Sequence, residues 1–235
     1  MAGIKVIVFD TFGTVVDWRG SITRDLSDWG AAQGITADWG KLADLWRGQY
    51  EPEMDRVRRG EIPFTRLDEL HAHALPGVLE CCGIDSLSEE QFQFVNRVWH
   101  RLDPWPDSVP GLHRLKTKFV IGPLSNGNVA LLVNMAKHAG LPWDHVFSCE
   151  LFRAYKPHPD SYLGVARMMD VKPSEVMMCA AHNYDLAAAR KAGLATAFVP
   201  RTTEFGPGQT TDLVPTEDWD VIADDFDELA SRLGT

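Results

Sequence analysis

The chain has 235 residues, of which 45% are hydrophobic, so it can bury one sizeable core or a core with a smaller unit beside it. Its formal net charge is -10, with 33 acidic residues against 23 basic ones, which argues against nucleic acid and anionic membrane as partners. No run in the sequence approaches the roughly 18 apolar residues of a membrane helix, and the N-terminus shows no leader pattern, so we expect a cytoplasmic protein.

Five short apolar runs are typical of buried strands, and amphipathic helical stretches lie between the later ones. The predicted strands are 4–9, 119–124, 145–148, 176–180 and 195–199. The predicted helices between them are 128–139, 160–169 and 184–192. Strands separated by single helices indicate an α/β fold with a doubly wound, Rossmann-like parallel sheet. Ligands bind such sheets at the carboxyl ends of the strands.

One long segment, 17–105, breaks this alternation, because it carries amphipathic helical stretches and no convincing buried strand. The clearest of these stretches are 21–33, 41–50 and 88–101. Helices inserted after the first strand would cover the end of that strand as a cap and exclude water from a site there. An independent helical domain is the alternative. We expect a core made of 1–16 and 106–235 with a helical cap at 17–105.

The tail after the last predicted strand is rich in Pro, Gly and Asp. This composition predicts a loop from residue 202 onward, followed by a final helix at 225–233. The four cysteines form no C-x-x-C pair, so the sequence favours buried, reduced thiols over a metal site or disulfides.

A carboxylate closes the first predicted strand: Asp10 is followed by a glycine-containing turn that ends at Thr14. A carboxylate in this position is exposed to ligand and surrounded by backbone N–H groups. It can be a nucleophile, a metal ligand or merely a turn-forming residue.

Three later strand ends also carry polar side chains. Ser125 and Asn126 follow the second strand and are suited to holding an anion or orienting a carboxylate. Lys156 follows the third strand; it is either a solvated surface charge or a partner that keeps Asp10 ionised. Asp185 follows the fourth strand, near the start of a helix. It is either a first-turn acid or a second carboxylate that positions the lysine or a hydrolytic water.

Taken in order, the segments FDTFGT, LSNGN and YKP and the loop that contains Asp185 resemble the four motifs of the haloacid dehalogenase superfamily. The resemblance covers the whole chain, and the helical insertion matches the superfamily's cap after the first strand. It implies a hydrolase in which Asp10 is a nucleophile that forms an ester intermediate.

Within the superfamily, two departures separate this chain from the phosphatases. Those enzymes place a second Asp two residues after the nucleophile, and here that position is Phe12, which cannot donate a proton. They also bind Mg²⁺ with acids in the fourth motif, where this chain offers Asp185 alone. A halide leaves without protonation and needs no metal. The sequence therefore favours a metal-independent 2-haloacid dehalogenase without cofactor. A phosphatase or phosphonate hydrolase is the alternative, and a non-catalytic binding protein on this fold is an alternative of another class.

Closer resemblance to L-2-haloacid dehalogenases identifies further candidates. Arg47 resembles their halide-receiving arginine, although alone it would be an ordinary residue on an amphipathic helix. Tyr162 matches another of their active-site positions and could equally be a packing tyrosine. Tyr184 keeps an aromatic before Asp185, whereas His182 stands where those enzymes carry a polar Ser-Ser-Asn-like stretch. His182 is either structural or a hydrogen-bonding or titrating group in the active-site loop.

The resemblance implies a first half-reaction. The substrate carboxylate is held by Ser125, Asn126 and backbone N–H groups, while Asp10 attacks C2 from behind the carbon–halogen bond. Arg47, with Asn126 and Tyr184 nearby, stabilises the departing halide where negative charge develops. The partner is thus a small 2-haloacid such as haloacetate or L-2-halopropionate.

A second half-reaction hydrolyses the ester. Water oriented by Asp185, with His182 as a second candidate, attacks the ester carbonyl of Asp10. Lys156 keeps Asp10 ionised and Thr14 donates a hydrogen bond to its carboxylate. A ring N–H donor in a tight pocket also suits fluoride, which predicts activity on fluoroacetate. A homodimer is a further possibility from the resemblance alone.

Overall fold

The apolar runs form one parallel sheet in the computed structural model, which describes residues 3–235. The strands are β1 (Val6–Phe9), β2 (Val120–Ser125), β3 (Phe147–Ser148), β4 (Val176–Ala180), β5 (Ala195–Phe198) and β6 (Val221–Ile222). Each pair of neighbours is parallel, and the order is β3-β2-β1-β4-β5-β6. The predicted α/β fold with a doubly wound parallel sheet is therefore confirmed.

Five helices lie in the inserted segment 17–105, and six more lie outside that segment within residues 3–235. The first group is α1 (Trp18–Gln33), α2 (Trp39–Gly48), α3 (Tyr50–Arg58), α4 (Leu67–Cys81) and α5 (Glu89–Asn96). The second group is α6 (Ser108–Lys116), α7 (Val129–Ala139), α8 (Cys149–Phe152), α9 (Pro159–Met168), α10 (Asn183–Lys191) and α11 (Phe226–Leu233). Short 3₁₀ helices occupy Arg97–Arg101 and Pro173–Glu175. None of the helices in the described part of the chain is long and apolar enough to cross a membrane.

Capping residues explain where the helices of the inserted segment begin. Asp17 accepts a hydrogen bond from the third residue of α1, and Asp38 does the same for α2. Ser88 forms a capping box with Gln91 at the start of α5. These helices bury three large tryptophan side chains in one cluster with residues of the sheet: Trp18, Trp46 and Trp99. Burying a large apolar side chain contributes about 1.5–3 kcal/mol, so this cluster holds the helical segment against the sheet.

Several elements differ from the sequence prediction. The predicted helical stretch 88–101 is α5 followed by the 3₁₀ helix Arg97–Arg101, and α6 and α8 were not predicted. The predicted helix 41–50 is two helices, because the chain turns at Gln49 and Tyr50 begins the next one. The edge strand β6 was not predicted, since two residues in a polar tail are too short to show an alternating pattern. The final helix is confirmed, with Asp225 capping it.

The register of the sheet decides which side chains meet. Phe9, the last residue of β1, is level with Pro123 of β2 and Cys179 of β4. The residues that follow these three positions therefore emerge together at the carboxyl edge of the sheet, beneath the helices of the inserted segment.

Candidate active site

Asp10 lies at this edge with both carboxylate oxygens engaged. Its Oδ1 accepts a hydrogen bond from the Lys156 ammonium at 2.9 Å. Its Oδ2 accepts one from the Thr14 hydroxyl at 2.8 Å and one from His182 Nδ1 at 2.9 Å. Burial by itself would raise the pKa of Asp10, but the positive charges of Lys156 and His182 outweigh burial and lower the pKa. Asp10 is thus a buried, ionised carboxylate.

Lys156 is placed by contacts to three elements. Its ammonium pairs with both Asp10 and Asp185, and its backbone N–H donates to Asn126 Oδ1 at 2.9 Å. Only 3% of the side chain is exposed. Burial would lower the pKa of Lys156, but the two carboxylates raise it well above the ordinary value, so the side chain stays charged. The surface-lysine alternative for Lys156 does not fit this burial.

Asp185 is fully buried and already occupied by protein groups. Its Oδ2 accepts from Lys156, and its Oδ1 accepts from the Tyr162 hydroxyl at 2.6 Å. Burial raises the pKa of Asp185, and burial followed by the neighbouring Asp185 charge raises that of Tyr162. These contacts favour the alternative in which Asp185 positions the lysine, and they give Tyr162 a polar role beyond packing.

His182 bridges two carboxylates. Its Nδ1 faces Asp10 Oδ2, and its Nε2 lies 2.8 Å from Glu204 Oε2. An ionised carboxylate only accepts hydrogen bonds, so both ring nitrogens carry a proton and the ring is an imidazolium. Burial would lower the pKa of His182, but the Glu204 and Asp10 charges raise it to about 10.

Glu204 is a site residue that the sequence prediction missed. It is 1% exposed, and its second oxygen accepts from Trp18 Nε1 at 2.9 Å. Its carboxylate fills the space beside Gly13, where a Cβ atom would lie 2.0 Å from Oε1. Gly13 also has a φ of 88°, which other residues rarely adopt. The glycine in the turn after Asp10 is therefore required both by the backbone and by the glutamate.

Arg201 fixes the loop that carries Glu204. Its Nε donates to the Thr14 carbonyl at 2.9 Å, and its two terminal nitrogens form a bidentate pair with Asp107 at 2.7 and 2.8 Å. The loop leaves β5 at the same carboxyl edge as the other site residues. The strand-end rule could thus have pointed to Glu204, although a lone glutamate in a polar tail has no local signature.

A cavity of about 830 Å³ lies beside these groups, with walls from the inserted helices and from the sheet side. Arg47 is in its wall, with its guanidinium 4.1 Å from the Tyr50 ring centroid and 5.6 Å from that of Trp18. Its Nη1 is buried and has no hydrogen-bond partner among residues 3–235. His182 and the half-exposed Tyr184 line the same cavity. The cavity therefore offers an unpaired cation to an anion.

Ser125 and Asn126 are close to this cavity but are used by the protein itself. Ser125 Oγ accepts from the Gly127 backbone N–H at 3.2 Å, and Asn126 Nδ2 donates to the Tyr50 hydroxyl at 3.0 Å. Within the described chain, neither residue belongs to the cavity wall. Their contacts orient the loop and Lys156; contact with the substrate carboxylate stays a prediction.

The position two residues after Asp10 is occupied by a packing residue. Phe12 is 2% exposed and meets the Trp99 ring edge-on at 5.7 Å and the Tyr50 ring at 6.3 Å. It belongs to the aromatic cluster of the inserted helices. No proton donor stands at this position.

The chain is similar to known proteins over most of its length. A family model described as haloacid dehalogenase-like hydrolase matches residues 4–193. The (S)-2-haloacid dehalogenase of Xanthobacter autotrophicus is 30% identical over 212 residues, which cover 86% of this chain and 77% of that protein. A defluorinating L-2-haloacid dehalogenase has a similar solved structure, with a TM-score of 0.96, 47% identity, and coverage of 99% of this chain and 96% of that one. A second L-2-haloacid dehalogenase structure has a TM-score of 0.96 and 48% identity, covering 98% and 99%.

Proposed function

The chain belongs to the haloacid dehalogenase-like hydrolases, and we propose that it hydrolyses short 2-haloacids to 2-hydroxy acids. One observation carries the mechanism: the buried, ionised Asp10 contacts His182, which lines a cavity that also holds Arg47, whose Nη1 has no hydrogen-bond partner among residues 3–235. A nucleophilic carboxylate and a separate anion site are what displacement of a halide requires.

In the first step, Asp10 displaces the halide from C2 and forms an ester. Lys156 keeps the nucleophile ionised and aimed, and Thr14 donates to its other oxygen. Arg47 receives the halide in the cavity that Tyr184 also lines. The carbon–halogen electron pair leaves with the halide, so the step consumes no proton.

In the second step, water attacks the ester and releases the 2-hydroxy acid. Asp185 holds Lys156 against Asp10 through both half-reactions, and Tyr162 anchors Asp185. Phe12 supports this chemistry over phosphate-ester cleavage, because a phosphatase needs a proton donor for its leaving oxygen and this residue has none.

The helical segment 17–105 serves as a cap over a core made of 1–16 and 106–235 in this proposal. Support comes from the cavity, whose wall combines Arg47 and Tyr50 of the segment with His182 and Tyr184 of the core. Enclosure between the two parts excludes water from Asp10 until the ester has formed. A cytoplasmic location and a homodimer stay predictions.

Haloacetate and L-2-halopropionate are the proposed substrates, and fluoroacetate is included. The name of the 47% identical relative describes defluorination by that protein. In this chain Arg47 borders the cavity, and its buried Nη1 has no hydrogen-bond partner among residues 3–235. Both ring nitrogens of His182 already contact Asp10 and Glu204, so the fluoride donor in this proposal is Arg47 and not His182. Fluoride depends strongly on hydrogen bonding when it leaves, so a charged donor supports its release.

The test is halide release from chloroacetate, L-2-chloropropionate and fluoroacetate in the presence of EDTA. We expect release by the wild type and its loss in Asp10→Asn, which keeps the shape of the side chain and removes the nucleophile. Asp28→Asn, an exposed position on α1, is the matched control and should keep wild-type rates. Mg²⁺-stimulated hydrolysis of a phosphate ester without halide release would place the chain in the phosphatase branch instead. Absence of both halide release and phosphate-ester hydrolysis would favour a binding protein.

A further inference from the structure

His182 stands at a place where charge develops in the second half-reaction. Asp10 Oδ2 receives two hydrogen-bond donors, Thr14 Oγ1 and His182 Nδ1, whereas Oδ1 receives Lys156 alone. The direction of the threonine donor is fixed, because Thr14 Oγ1 itself accepts from the Ala181 backbone N–H at 2.9 Å. Oδ1 is therefore the less encumbered oxygen and the better nucleophile.

Attack through Oδ1 leaves Oδ2 as the carbonyl oxygen of the ester. When water adds to Cγ, negative charge moves onto Oδ2, between the Thr14 hydroxyl and the His182 ring. Two preorganised donors aimed at such an oxygen form an oxyanion hole. A charged donor is roughly twice as strong as a neutral one.

Ester formation removes the charge of Asp10, so the His182 imidazolium needs a second counterion to stay protonated. Glu204 is that counterion: it is buried, contacts Nε2 at 2.8 Å and is held by Trp18. Other charged or titratable groups near the ring include Lys156, which contacts Asp10, and Tyr184, whose ring centroid is 5.8 Å away. Arg47 and Asp212 line the same cavity as His182, and Asp212 accepts a hydrogen bond from the Asn183 backbone N–H. No other carboxylate of the described chain contacts His182.

We propose that His182, kept as an imidazolium by Glu204, stabilises the oxyanion on Asp10 Oδ2 while the ester is hydrolysed, an inference that rests on the proposed function. His182 is then a catalytic residue of the second half-reaction, and Glu204 is a positioning residue that acts through it.

The step balances without a proton change on His182. The water oxygen bonds to Cγ of Asp10, and the bond between Cγ and Oδ1 breaks, so Oδ1 leaves as the hydroxyl oxygen of the product. One proton of the water ends on that hydroxyl. The other is released to solvent when the new carboxylate ionises beside Lys156.

The experiment is single-turnover reaction with L-2-chloropropionate, in which halide release and loss of the ester are timed separately, the ester by mass spectrometry of the intact protein. In Glu204→Gln we expect a halide burst close to that of the wild type and ester hydrolysis slowed at least about tenfold, because the oxyanion donor loses its charge. Glu204→Asp, which keeps the charge, should recover part of the rate. Glu90→Gln, exposed on α5, is the matched control.

The pH profile separates this role from that of a general base. In Glu204→Gln, hydrolysis should become faster as the pH falls, since protonation of His182 restores the donor. In the wild type it should change less with pH near neutrality than in the variant, because Glu204 holds His182 as an imidazolium in the ester. Hydrolysis that rises with pH in the wild type would make His182 a base and overturn the inference, even if the variant fails to fold.

Failure of the inference and failure of the function are distinguishable. A halide burst followed by wild-type hydrolysis in Glu204→Gln would overturn the oxyanion role alone. Absence of any halide release by the wild type would overturn the proposed function.

Discussion

Two histidines in different parts of the molecule are buried to the same degree, but their pKa values are shifted in opposite directions. His182, at the carboxyl edge of the sheet, is 3% exposed, and His71, in α4 of the helical segment, is 2% exposed. Burial acts on both by lowering the pKa. Glu204 and Asp10 reverse this for His182 and raise its pKa to about 10. For His71, burial outweighs the attraction of the Asp68 charge, which makes no hydrogen bond to the ring, and the pKa is lowered to about 3.

The surroundings of His71 explain the difference. Its ring stacks on Trp99 at 4.5 Å and lies 5.6 Å from the Trp46 ring centroid. Neither ring nitrogen has a hydrogen-bond partner in the described part of the chain. The helical segment thus surrounds His71 with aromatic rings, and the sheet edge surrounds His182 with carboxylates. Burial disfavours the charged form of a histidine unless carboxylates contact its ring. The charge of His182 in the site therefore depends on Asp10 and Glu204.

The largest expected effect comes from removing the cation that holds the sheet-edge charges together. Lys156→Met leaves Asp10 and Asp185 buried without their shared partner, which costs about 3–5 kcal/mol of unfolding free energy. Halide release should fall on the order of 10³-fold or more, because the nucleophile loses its ionised state and aim. Urea denaturation and halide assays measure both. Lys137→Met, exposed on α7, is the control; a Lys156→Met enzyme with near wild-type activity would contradict the ion-pair account.

A smaller effect is expected on the helical side of the cavity. Arg47→Met removes the unpaired cation but keeps an apolar side chain against Tyr50, so stability should change little. Halide release should fall about 10²–10³-fold, the usual cost of losing one donor at a developing charge. Arg47→Lys should recover only part of it, since an ammonium does not stack as a guanidinium does. Arg97→Met, exposed in a 3₁₀ helix, controls for charge. Unchanged kinetics in Arg47→Met would remove the anion site from this wall.

The smallest expected effect is on the unfolding free energy, whose pH dependence tests the comparison of the two histidines. The folded-state pKa of His71 is about 3 against an ordinary value of 6.5, so the unfolded chain binds the extra proton between these values. Unfolding free energy is therefore lost as the pH falls through this window, by at most about 1.4 kcal/mol per pH unit. His71→Phe keeps the ring stack and removes this loss, so its advantage over the wild type should grow from pH 6.5 downward.

Urea denaturation at several pH values measures this advantage, with His113→Phe, exposed on α6, as the control. Equal pH dependence in His71→Phe and the wild type would show that His71 is charged in the folded state. Near neutral pH, His71→Phe should keep halide release within a few fold, because neither ring nitrogen contacts Asp10 or its partners.

Much of the fold was predictable because it depends on local periodicity. Apolar runs in the sequence predicted five of the six strands, β1 to β5, and the helices predicted between the later strands are present. The split between α2 and α3 at Gln49 was not predictable, since an amphipathic pattern continues across it. The two-residue β6 was missed because its pairing with β5, not its own composition, makes it a strand.

The candidate site shows the same division. Asp10, Lys156 and Asp185 were predicted from strand ends and motif order, and the structure brings them into one cluster. Glu204 was missed, because it lies 22 residues from His182 in a loop without a motif. Its role follows from two hydrogen-bond partners on other segments, Trp18 and His182, rather than from its neighbours in the chain.

The sequence alone determined the parallel sheet, the inserted helical segment and the polar residues that close the strands, because periodicity and strand-end position are local properties of a chain. Only the tertiary structure decided which of those groups are charged. Asp10, His182 and Glu204 reach one another from three separate segments. The pKa of a buried group depends on burial and on the charges within a few ångströms, and those distances exist only once the sheet has brought the segments together.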